Sequence, residues 1–295
     1  MVKGNMKKIA FITGAARGIG AGISKVLSTK GYDLALNYRS ESEHLDAVVA
    51  ECRANGARVE LFQGDIAHVD QIEKMFEEFK KVYGNNLDLL VNNAGITRHV
   101  SIFETDQELF DMLNAVDWRG SFFCTKHAAM LMRDHGKGGV VINITSNQQK
   151  GCWPKSLVYG PVKAALMHFT ETAAYELSEH NIRVVAIAPG YTHKTDSDFS
   201  DRLASVPQEH RAEAKKFFDE LLGRIPMKRF CTPSEIGHAV NYLASHEARY
   251  ITGTCLYMDG GALLPVVADN SYTPMQNEPD WKAIFGASRK KKAEK

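Results

Sequence analysis

Short apolar runs rich in β-branched residues alternate along the chain with longer amphipathic stretches, and glycine or asparagine residues mark the junctions. This alternation is typical of β-α units and predicts a parallel sheet with helices on both of its faces. Seven strands are predicted, near Lys8–Thr13, Asp33–Tyr38, Arg58–Gln63, Leu87–Asn92, Val140–Thr145, Arg183–Ala188 and Thr254–Met258. The expected fold class is therefore α/β, with a doubly wound, seven-stranded parallel sheet.

Several of the helices predicted between the strands carry their own end signals. Gly31 and Gly56 stand where the C-terminus of a helix needs a left-handed residue. The run Thr232-Pro233-Ser234-Glu235 joins a capping box to a proline at the first helical position. We therefore expect a helix that begins there and ends at about Leu243.

The chain is expected to form one domain over residues 1–262 and a C-terminal extension over residues 263–295. Within the domain, residues 191–229 are rich in charge and include the apolar pairs Phe217-Phe218 and Leu221-Leu222. This stretch lies where a substrate lid would be, although an ordinary surface helix has the same pattern. The extension contains prolines and ends in a basic run over residues 289–292, which is typical of a solvated tail.

Composition narrows the class of partner. The 36 Lys and Arg residues nearly balance the 35 Asp and Glu residues, so no global field attracts nucleic acid or an anionic membrane. No apolar run reaches the roughly 20 residues that cross a bilayer. The five cysteines and eleven histidines show no disulfide or metal-ligand spacing. We expect a cytoplasmic protein that binds a small molecule and no catalytic metal.

The strongest binding signal follows the first predicted strand, where the chain reads Thr13-Gly14-Ala15-Ala16-Arg17-Gly18-Ile19-Gly20 and then becomes helical. Glycines allow the backbone to turn tightly and to approach a pyrophosphate, whose charge the amides at a helix N-terminus stabilise. A glycine cluster by itself is weak evidence, but a strand before it and a helix after it favour a dinucleotide site.

The Gly-x-x-x-Gly-x-Gly spacing of this loop resembles that of the classical short-chain dehydrogenase/reductase family. Three further motifs extend the resemblance, which reaches Gly261: Asn92-Asn93-Ala94-Gly95, the pair Tyr159-x-x-x-Lys163, and Pro189-Gly190. The four motifs stand in the family's order and are highly specific together. The resemblance implies a Rossmann-like fold and hydride transfer between a nicotinamide and a ketone or secondary alcohol.

The resemblance also implies a set of cofactor contacts. Carried over by position, these are Gly14, Arg17, Gly18, Ile19, Gly20, Arg39, Ser40, Asp65, Ile66, Asn92, Ala94, Gly95, Tyr159, Lys163, Pro189, Gly190, Thr192 and Thr195. Asp65 would accept a hydrogen bond from the adenine amino group, unless it only caps a helix. Asn92 would mainly tie the sheet together. Either Thr192 or Thr195 would bind the nicotinamide carboxamide.

The end of the second strand indicates which dinucleotide is used. A site for NAD places an acidic residue there, about twenty residues past the glycines, to bind the ribose 2′-hydroxyl. This chain reads Asn37-Tyr38-Arg39-Ser40 instead, with no carboxylate. Arg39, with Arg17 in the glycine loop, could hold a 2′-phosphate, or both could be exposed surface charges. We expect NADP(H) as cofactor, with NAD(H) as the alternative.

The chemistry of carbonyl reduction requires a proton donor beside the hydride. Tyr159 and Lys163 are four residues apart, so a helix places them on one face, and the ammonium favours the tyrosinate form. Pro161 between them is tolerable if the helix begins only a few residues earlier. Ser146 stands at the end of the fifth strand, where the family keeps the serine that binds the substrate oxygen.

The fourth catalytic position departs from the family. The resemblance implies an asparagine there, but the matching run from Asn114 to Gly120 has Asp117 in its place. In the family, the backbone carbonyl of this residue holds a water molecule of the proton relay. A backbone carbonyl is still present when the asparagine is replaced by aspartate. The substitution puts the donor role of the side-chain amide and the local charge in doubt.

We therefore expect an NADP(H)-dependent oxidoreductase that reduces a ketone to a secondary alcohol, or catalyses the reverse reaction. Ser146, Gln148 and Trp153 are the expected substrate contacts, and the loop and lid candidate supply apolar walls that suit a bulky carbonyl such as a steroid. The alternatives are a sugar or polyol dehydrogenase of the same family, or a non-catalytic NADP(H)-binding regulator. The spacing of tyrosine and lysine argues against enoyl reduction. The resemblance also implies a homo-oligomer, a tetramer or a dimer.

Overall fold

A computed structural model describes residues 7–196, 203–204 and 206–264 of the 295-residue chain. The basic run over residues 289–292, predicted as a solvated tail, lies outside the described residues. In the described part of the chain, no helix is both long enough and apolar enough to cross a membrane. The same residues contain no group of three or more side chains placed to hold a metal ion.

The strands form one seven-stranded sheet in which every neighbouring pair is parallel. They are β1 (Lys8–Ile12), β2 (Tyr32–Tyr38), β3 (Val59–Gln63), β4 (Leu89–Asn92), β5 (Gly139–Ile144), β6 (Ile182–Pro189) and β7 (Cys255–Met258). The spatial order is β3-β2-β1-β4-β5-β6-β7, so the direction of winding reverses between β1 and β4. The predicted Rossmann-like, doubly wound sheet is confirmed, and each predicted strand lies within two residues of the observed one.

Helices cover both faces of the sheet. They are α1 (Gly18–Ser28), α2 (Glu43–Ala54), α3 (Val69–Tyr83), α4 (Gln107–Leu113), α5 (Ser121–His135), α6 (Tyr159–Leu177), α7 (Arg211–Gly223) and α8 (Pro233–Leu243). A π-helical segment, Asn114–Gly120, joins α4 directly to α5. π-Helical turns inside longer helices are frequent at functional sites.

The alternation of side chains along the strands produces two apolar layers. On β1, Ala10 and Ile12 face a core formed with α1, α2 and α8, whereas Ile9 and Phe11 face a core formed with α3, α5 and α6. Successive residues of a strand point to opposite faces, so a strand covered on both sides must be apolar throughout. This explains why the central strands were visible in the sequence as nearly continuous apolar runs, whereas the outer strands β3 and β7 also expose residues.

The local end signals are also confirmed. Gly31 and Gly56 adopt positive φ angles of 83° and 85°, the left-handed region that favours glycine. The side chain of Thr232 accepts a hydrogen bond from the backbone of Glu235, and the Glu235 side chain accepts one from the backbone of Thr232. Helix α8 then runs from Pro233 to Leu243, as predicted.

Candidate active site

The glycine loop between β1 and α1 is held from two sides by asparagine side chains. The Gly14 amide donates to Oδ1 of Asn37 over 3.2 Å, and Nδ2 of Asn93 donates to the Thr13 carbonyl over 2.8 Å. A Cβ on Gly14 would lie 2.9 Å from the Cα of Ala94, so only glycine allows the loop to approach the end of β4 this closely. The loop is therefore fixed at the point where the sheet reverses direction.

The start of α1 offers backbone groups to a ligand. Arg17 stands at the helix cap with an extended backbone, and its side chain makes no capping hydrogen bond. Gly18 has a φ of 58°, and a Cβ built there would meet no atom within 4 Å, so open space adjoins the first turn. Unpaired amides and the positive end of the helix dipole suit the pyrophosphate of a dinucleotide. The residues present therefore fit such a group.

Two arginines from different elements line one cleft of about 1160 Å³ with Asp65 and Gly95. Arg39, at the end of β2, is 72% exposed, and its Nη1 lies 3.9 Å from Oδ2 of Asp65. Arg17 and Ser40 are also exposed. The two guanidinium groups are therefore available to an anionic group in the cleft.

Asp65 and Ile66 follow β3 at the edge of this cleft. Oδ1 of Asp65 accepts a hydrogen bond from the Ala67 amide over 2.9 Å, which stabilises the turn after the strand. Its other oxygen faces Arg39. Ile66 is buried and packs beneath the turn. Asp65 thus has one oxygen in a local turn-forming hydrogen bond and another directed at the cleft. The geometry fits both roles considered for it, a local cap and a hydrogen-bond acceptor for the adenine amino group.

Asn92 is buried at the end of β4 and links the sheet to α5. Its Nδ2 lies within hydrogen-bond distance of the Ser121 carbonyl at 3.3 Å, Oγ1 of Thr125 at 2.9 Å and Oδ1 of Asn143 at 2.8 Å. Asn143 on β5 in turn donates to Oγ1 of Thr170 over 2.9 Å. The Asn92 side chain therefore ties the sheet to the helices and does not face the cleft.

The proposed proton donor stands at the very beginning of α6. Tyr159 is the first residue of the helix, so Pro161 occupies its third position, where no helical hydrogen bond is lost. Nζ of Lys163 lies 5.7 Å from the centre of the Tyr159 ring and donates to the Ile144 carbonyl at the end of β5 over 3.1 Å. Both side chains are buried.

Ser146 follows β5 by two residues and begins a short 3-10 turn over Asn147–Gln149. Its Oγ accepts a hydrogen bond from the Gln148 amide over 3.2 Å, and its residue is 7% exposed. The turn lies against the start of α6, because a Cβ on Gly160 would be 3.1 Å from the Gln148 carbonyl. Ser146, Tyr159 and Lys163 are therefore brought together at the carboxyl edge of β5.

Asp117 lies in the π-helical segment and forms a buried ion pair with Lys163. Its Oδ1 is 2.9 Å from Nζ of Lys163, and its Oδ2 accepts a hydrogen bond from the Ile96 amide over 3.0 Å. Burial by itself would lower the pKa of Lys163, but the Asp117 carboxylate and the Tyr159 hydroxyl outweigh it, so that pKa is raised. Sequence reasoning placed Asp117 at this site but did not find the ion pair.

The turn after β6 carries residues that the family resemblance assigned to the nicotinamide. A Cβ on Gly190 would lie 2.8 Å from the Cα of Asp259, so the turn of Pro189-Gly190 passes directly against the chain that follows β7. Oγ1 of Thr192 donates to the Gly190 carbonyl over 3.2 Å, whereas Thr195 is exposed. The side chain of Thr192 is thus fixed to this turn.

The loop between β5 and α6 carries the two further residues that were expected to contact the substrate. Nε2 of Gln148 lies 3.4 Å from Nε2 of His99, and its amide oxygen accepts a hydrogen bond from the Ser156 hydroxyl. Nε1 of Trp153 donates to the Tyr191 hydroxyl over 3.4 Å. Gln148 and Trp153, both expected as substrate contacts, therefore already fix the loop before α6 to its neighbours.

Three of the four apolar residues singled out in the lid candidate are buried, which leaves little of their surface for a ligand. Phe217, Phe218 and Leu221 of α7 are buried in a cluster with Ile225 and Phe230, apart from the two cores on the sheet. Their apolar surface is covered by neighbours within the segment and by Phe230 and Ala262, which removes it from water. Helix α7 therefore has a buried apolar face, a pattern that both a lid and an ordinary surface helix share.

Sequence reasoning missed three residues that support the site. Thr13, Asn37 and Asn93 hold the glycine loop, and they do so through side chains that are buried or half-buried. A polar residue at the end of an otherwise apolar strand was the available signal, because a buried amide needs a hydrogen-bond partner.

With this geometry established, comparison with known proteins identifies the class. Residues 14–262 match a family model described as enoyl-(acyl carrier protein) reductase. The chain is 34% identical to the 3-oxoacyl-[acyl-carrier-protein] reductase FabG of Staphylococcus aureus strain Mu50 over 256 residues, which are 87% of this chain and 98% of that protein.

Solved structures agree with the sequence comparison. A short-chain dehydrogenase/reductase from Serratia marcescens is 31% identical, with a TM-score of 0.76 over 86% of this chain and 97% of the other. Acetoin dehydrogenase YohF from Salmonella typhimurium is 29% identical, with a TM-score of 0.78 over 90% of this chain and 99% of the other. The chain belongs to the classical short-chain dehydrogenase/reductase family, as the motifs predicted. It is an oxidoreductase that acts on CH–OH or ketone groups with a nicotinamide cofactor.

Proposed function

We propose that this protein is an NADPH-dependent reductase that converts a ketone into a secondary alcohol. The observation that carries the proposal is the burial of Tyr159 and Lys163 beside Ser146, at the carboxyl edge of β5. Ligands of open α/β sheets bind at this edge. A hydroxyl that can give a proton to the carbonyl oxygen and a second hydroxyl that can hydrogen-bond to it suit carbonyl reduction.

The residues divide the chemistry as follows. When bound, NADPH supplies the hydride that adds to the carbonyl carbon. The Tyr159 hydroxyl gives its proton to the carbonyl oxygen as the C=O double bond becomes a single bond, and solvent restores that proton afterwards. The Ser146 hydroxyl donates a hydrogen bond to the same oxygen. The backbone at the start of α1 and the side chains of Arg17 and Arg39 would hold the cofactor.

The preference for NADPH is supported by charge at one end of the cleft. Arg17 and Arg39 are both exposed there, and the second strand ends without a carboxylate that could bind a ribose 2′-hydroxyl. A 2′-phosphate would meet two guanidinium groups, of which Arg39 has only a long 3.9 Å contact with Asp65, whereas a 2′-hydroxyl would bring no negative charge to them. NAD(H) is accordingly the weaker cofactor in this proposal.

The burial of the apolar side chains of the lid candidate narrows the substrate class. With Phe217, Phe218 and Leu221 packed inward, the steroid hypothesis loses the apolar wall on which it depended. The groups near the opening, among them His99 and Gln148, are polar. We propose a small or linear ketone, with a 3-oxoacyl thioester as the first candidate because the Staphylococcus aureus relative bears that name. A sugar or polyol is the second candidate.

The test is NADPH oxidation measured by absorbance with four substrates on one preparation: a 3-oxoacyl thioester, diacetyl, a steroid ketone and an aldose. The proposal expects the highest kcat/KM with one of the two non-cyclic ketones. A higher kcat/KM with the steroid or the aldose would overturn the substrate class. Absence of turnover with every substrate, combined with NADPH binding, would instead favour the non-catalytic regulator.

Three further expectations stay part of the proposal. Residues 1–262 would form one catalytic domain with residues 191–229 as its lid, in a cytoplasmic protein. A dimer or tetramer would cover apolar side chains that α5 and α6 expose in the single chain, among them Phe122, Met130 and Tyr175. Light scattering after size-exclusion chromatography would measure the mass, and a monomer would contradict the expected oligomer.

A further inference from the structure

The ion pair between Asp117 and Lys163 changes the charge beside the proton donor. Family resemblance implies a neutral asparagine where this chain has Asp117, so the lysine would contribute an uncompensated positive charge. Here Oδ1 of Asp117 lies 2.9 Å from Nζ of Lys163, and the two side chains are 0% and 5% exposed. The pair therefore has no net charge and is shielded from water.

Among the groups around Lys163, Asp117 has the main influence on the local charge. The groups that act on the lysine electrostatically are Asp117 from the π-helical segment and Tyr159 from its own helix. The end of β5 adds the neutral carbonyl of Ile144, to which Nζ donates, and Gly95 after β4 lies beside the ammonium. Among these groups, Asp117 contributes the one carboxylate.

The carboxylate is also fixed in place. Its Oδ2 accepts the hydrogen bond from the Ile96 amide, and this leaves Oδ1 to face the lysine. The π-helical turn that carries Asp117 continues directly into α5, so the backbone at this point has a helix on either side. Charges held this way in a water-poor site interact more strongly than the same charges at the surface.

We propose that Asp117 is a positioning residue whose buried carboxylate neutralises the Lys163 ammonium and so keeps Tyr159 in the phenol form that donates a proton. This inference rests on the proposed function, in which Tyr159 protonates the carbonyl oxygen. An uncompensated ammonium beside Tyr159 would favour tyrosinate, the form that accepts a proton during alcohol oxidation. The ion pair thus extends the pH range of reduction without changing the equilibrium of the reaction.

The first test is the pH profile of alcohol oxidation, whose rise with pH reports formation of the tyrosinate base. In Asp117→Asn the midpoint of that rise should move to lower pH by about one unit or more, because a nearby negative charge has been removed. Reduction by the same variant should decline at a correspondingly lower pH. Asp134→Asn removes an equal charge from the exposed end of α5, where Asp134 pairs with Arg133, and should leave the midpoint unchanged.

The second test needs neither cofactor nor substrate. Tyrosinate absorbance is followed during an alkaline titration of the protein, and the Tyr159 contribution is the difference from a Tyr159→Phe background. The transition should appear at lower pH in Asp117→Asn than in the parent. Asp117→Ser serves as a second variant should the asparagine substitution prevent folding.

The two tests separate this inference from the proposed function. If no carbonyl compound is reduced but the tyrosinate transition moves as expected, the proposed function fails and the charge inference stands. If reduction is observed but the transition and the oxidation midpoint are unchanged in both Asp117 variants, the proposed function stands. In that case, Asp117 does not control the protonation of Tyr159, and the inference is overturned.

Discussion

Gly95 lies directly against the Asp117 carboxylate: a Cβ on residue 95 would be 2.6 Å from Oδ1 of Asp117 and 3.4 Å from Nζ of Lys163. The last glycine of the Asn-Asn-Ala-Gly motif therefore provides the space in which the ion pair forms. A methyl group there must displace the carboxylate, the ammonium or the backbone after β4, since real Cβ atoms do not approach other atoms at 2.6 Å.

The Gly95→Ala variant should consequently lose activity more than stability. We expect kcat/KM for reduction to fall by about 10-fold or more, with a stability cost of about 1–3 kcal/mol from overpacking. Steady-state kinetics and urea unfolding measure the two effects. Gly223→Ala is the matched control, because a Cβ on that helix residue meets nothing within 4 Å. Equal behaviour of the two variants would show that the space beside Asp117 is not needed.

The Tyr159→Phe variant tests the proton donor. It keeps the ring that fills the start of α6 and removes only the hydroxyl, so the fold and the cofactor cleft should be retained. We expect turnover to fall by about 10²-fold or more, because general acid catalysis contributes that much. Fluorescence titration with NADPH should give an unchanged Kd. Near-normal turnover would remove Tyr159 from the mechanism.

The Arg39→Ala variant tests the cofactor preference. Arg39 is largely exposed and its contact with Asp65 is long, so the substitution should leave the fold intact. We expect kcat/KM with NADPH to fall by about 10-fold or more, and kcat/KM with NADH to change little, because only the 2′-phosphate needs the guanidinium. Arg133→Ala removes an exposed arginine far along α5 and is the control. Equal or better use of NADH by the parent would contradict the assignment.

The capping box of α8 predicts a pH-dependent contribution to stability. The Arg229 guanidinium, through its hydrogen bonds to the side chain, lowers the pKa of Glu235 from 4.5 to about 2. A carboxyl group with a lowered folded-state pKa stabilises the protein above pH 4.5, and this contribution is lost as the pH falls toward 2. Because both side chains are substantially exposed, we expect about 1 kcal/mol or less.

The measurement compares urea unfolding of the parent and of Glu235→Gln between pH 7 and pH 3. The parent should be the more stable protein at pH 7, and the difference in free energy of unfolding should shrink steadily below about pH 4.5. A difference that is the same at every pH would show that the hydrogen bonds of the cap matter and the charge does not.

The parts of the fold that were predicted well are those that neighbouring residues decide. The central strands, such as β1 and β4, were recognisable because both faces of the sheet are covered there, which favours apolar residues at nearly every position of a short run. Helix α8 was recognisable because Thr232 and Glu235 satisfy each other's backbone amides within one turn. The motifs around Gly14, Asn92 and Tyr159 fixed the family in the same way, by spacing along the chain.

The lid candidate is a part of the chain whose packing could not be predicted from neighbouring residues. The pattern of aromatic and leucine pairs indicates that α7 has an apolar face. It does not indicate which residues that face packs against. The structure places Phe217 and Phe218 in a cluster with Phe230, which follows them by more than ten residues. Hydrophobic contact is not directional, so partners of an apolar face depend on how the whole segment folds back.

Sequence alone determined the sheet, the dinucleotide loop and the candidate proton donor. It also showed an aspartate where the family has an asparagine. Each of these features depends on residues that are adjacent or regularly spaced along the chain. Only the tertiary structure decided what that aspartate does. Asp117 and Lys163 are separated by 46 positions in the chain, yet their charged atoms are 2.9 Å apart in a site closed to water. The distance depends jointly on the π-helical turn, on the space left by Gly95 and on the register of β4 and β5. The strength of the ion pair depends on its burial, which no local sequence pattern specifies.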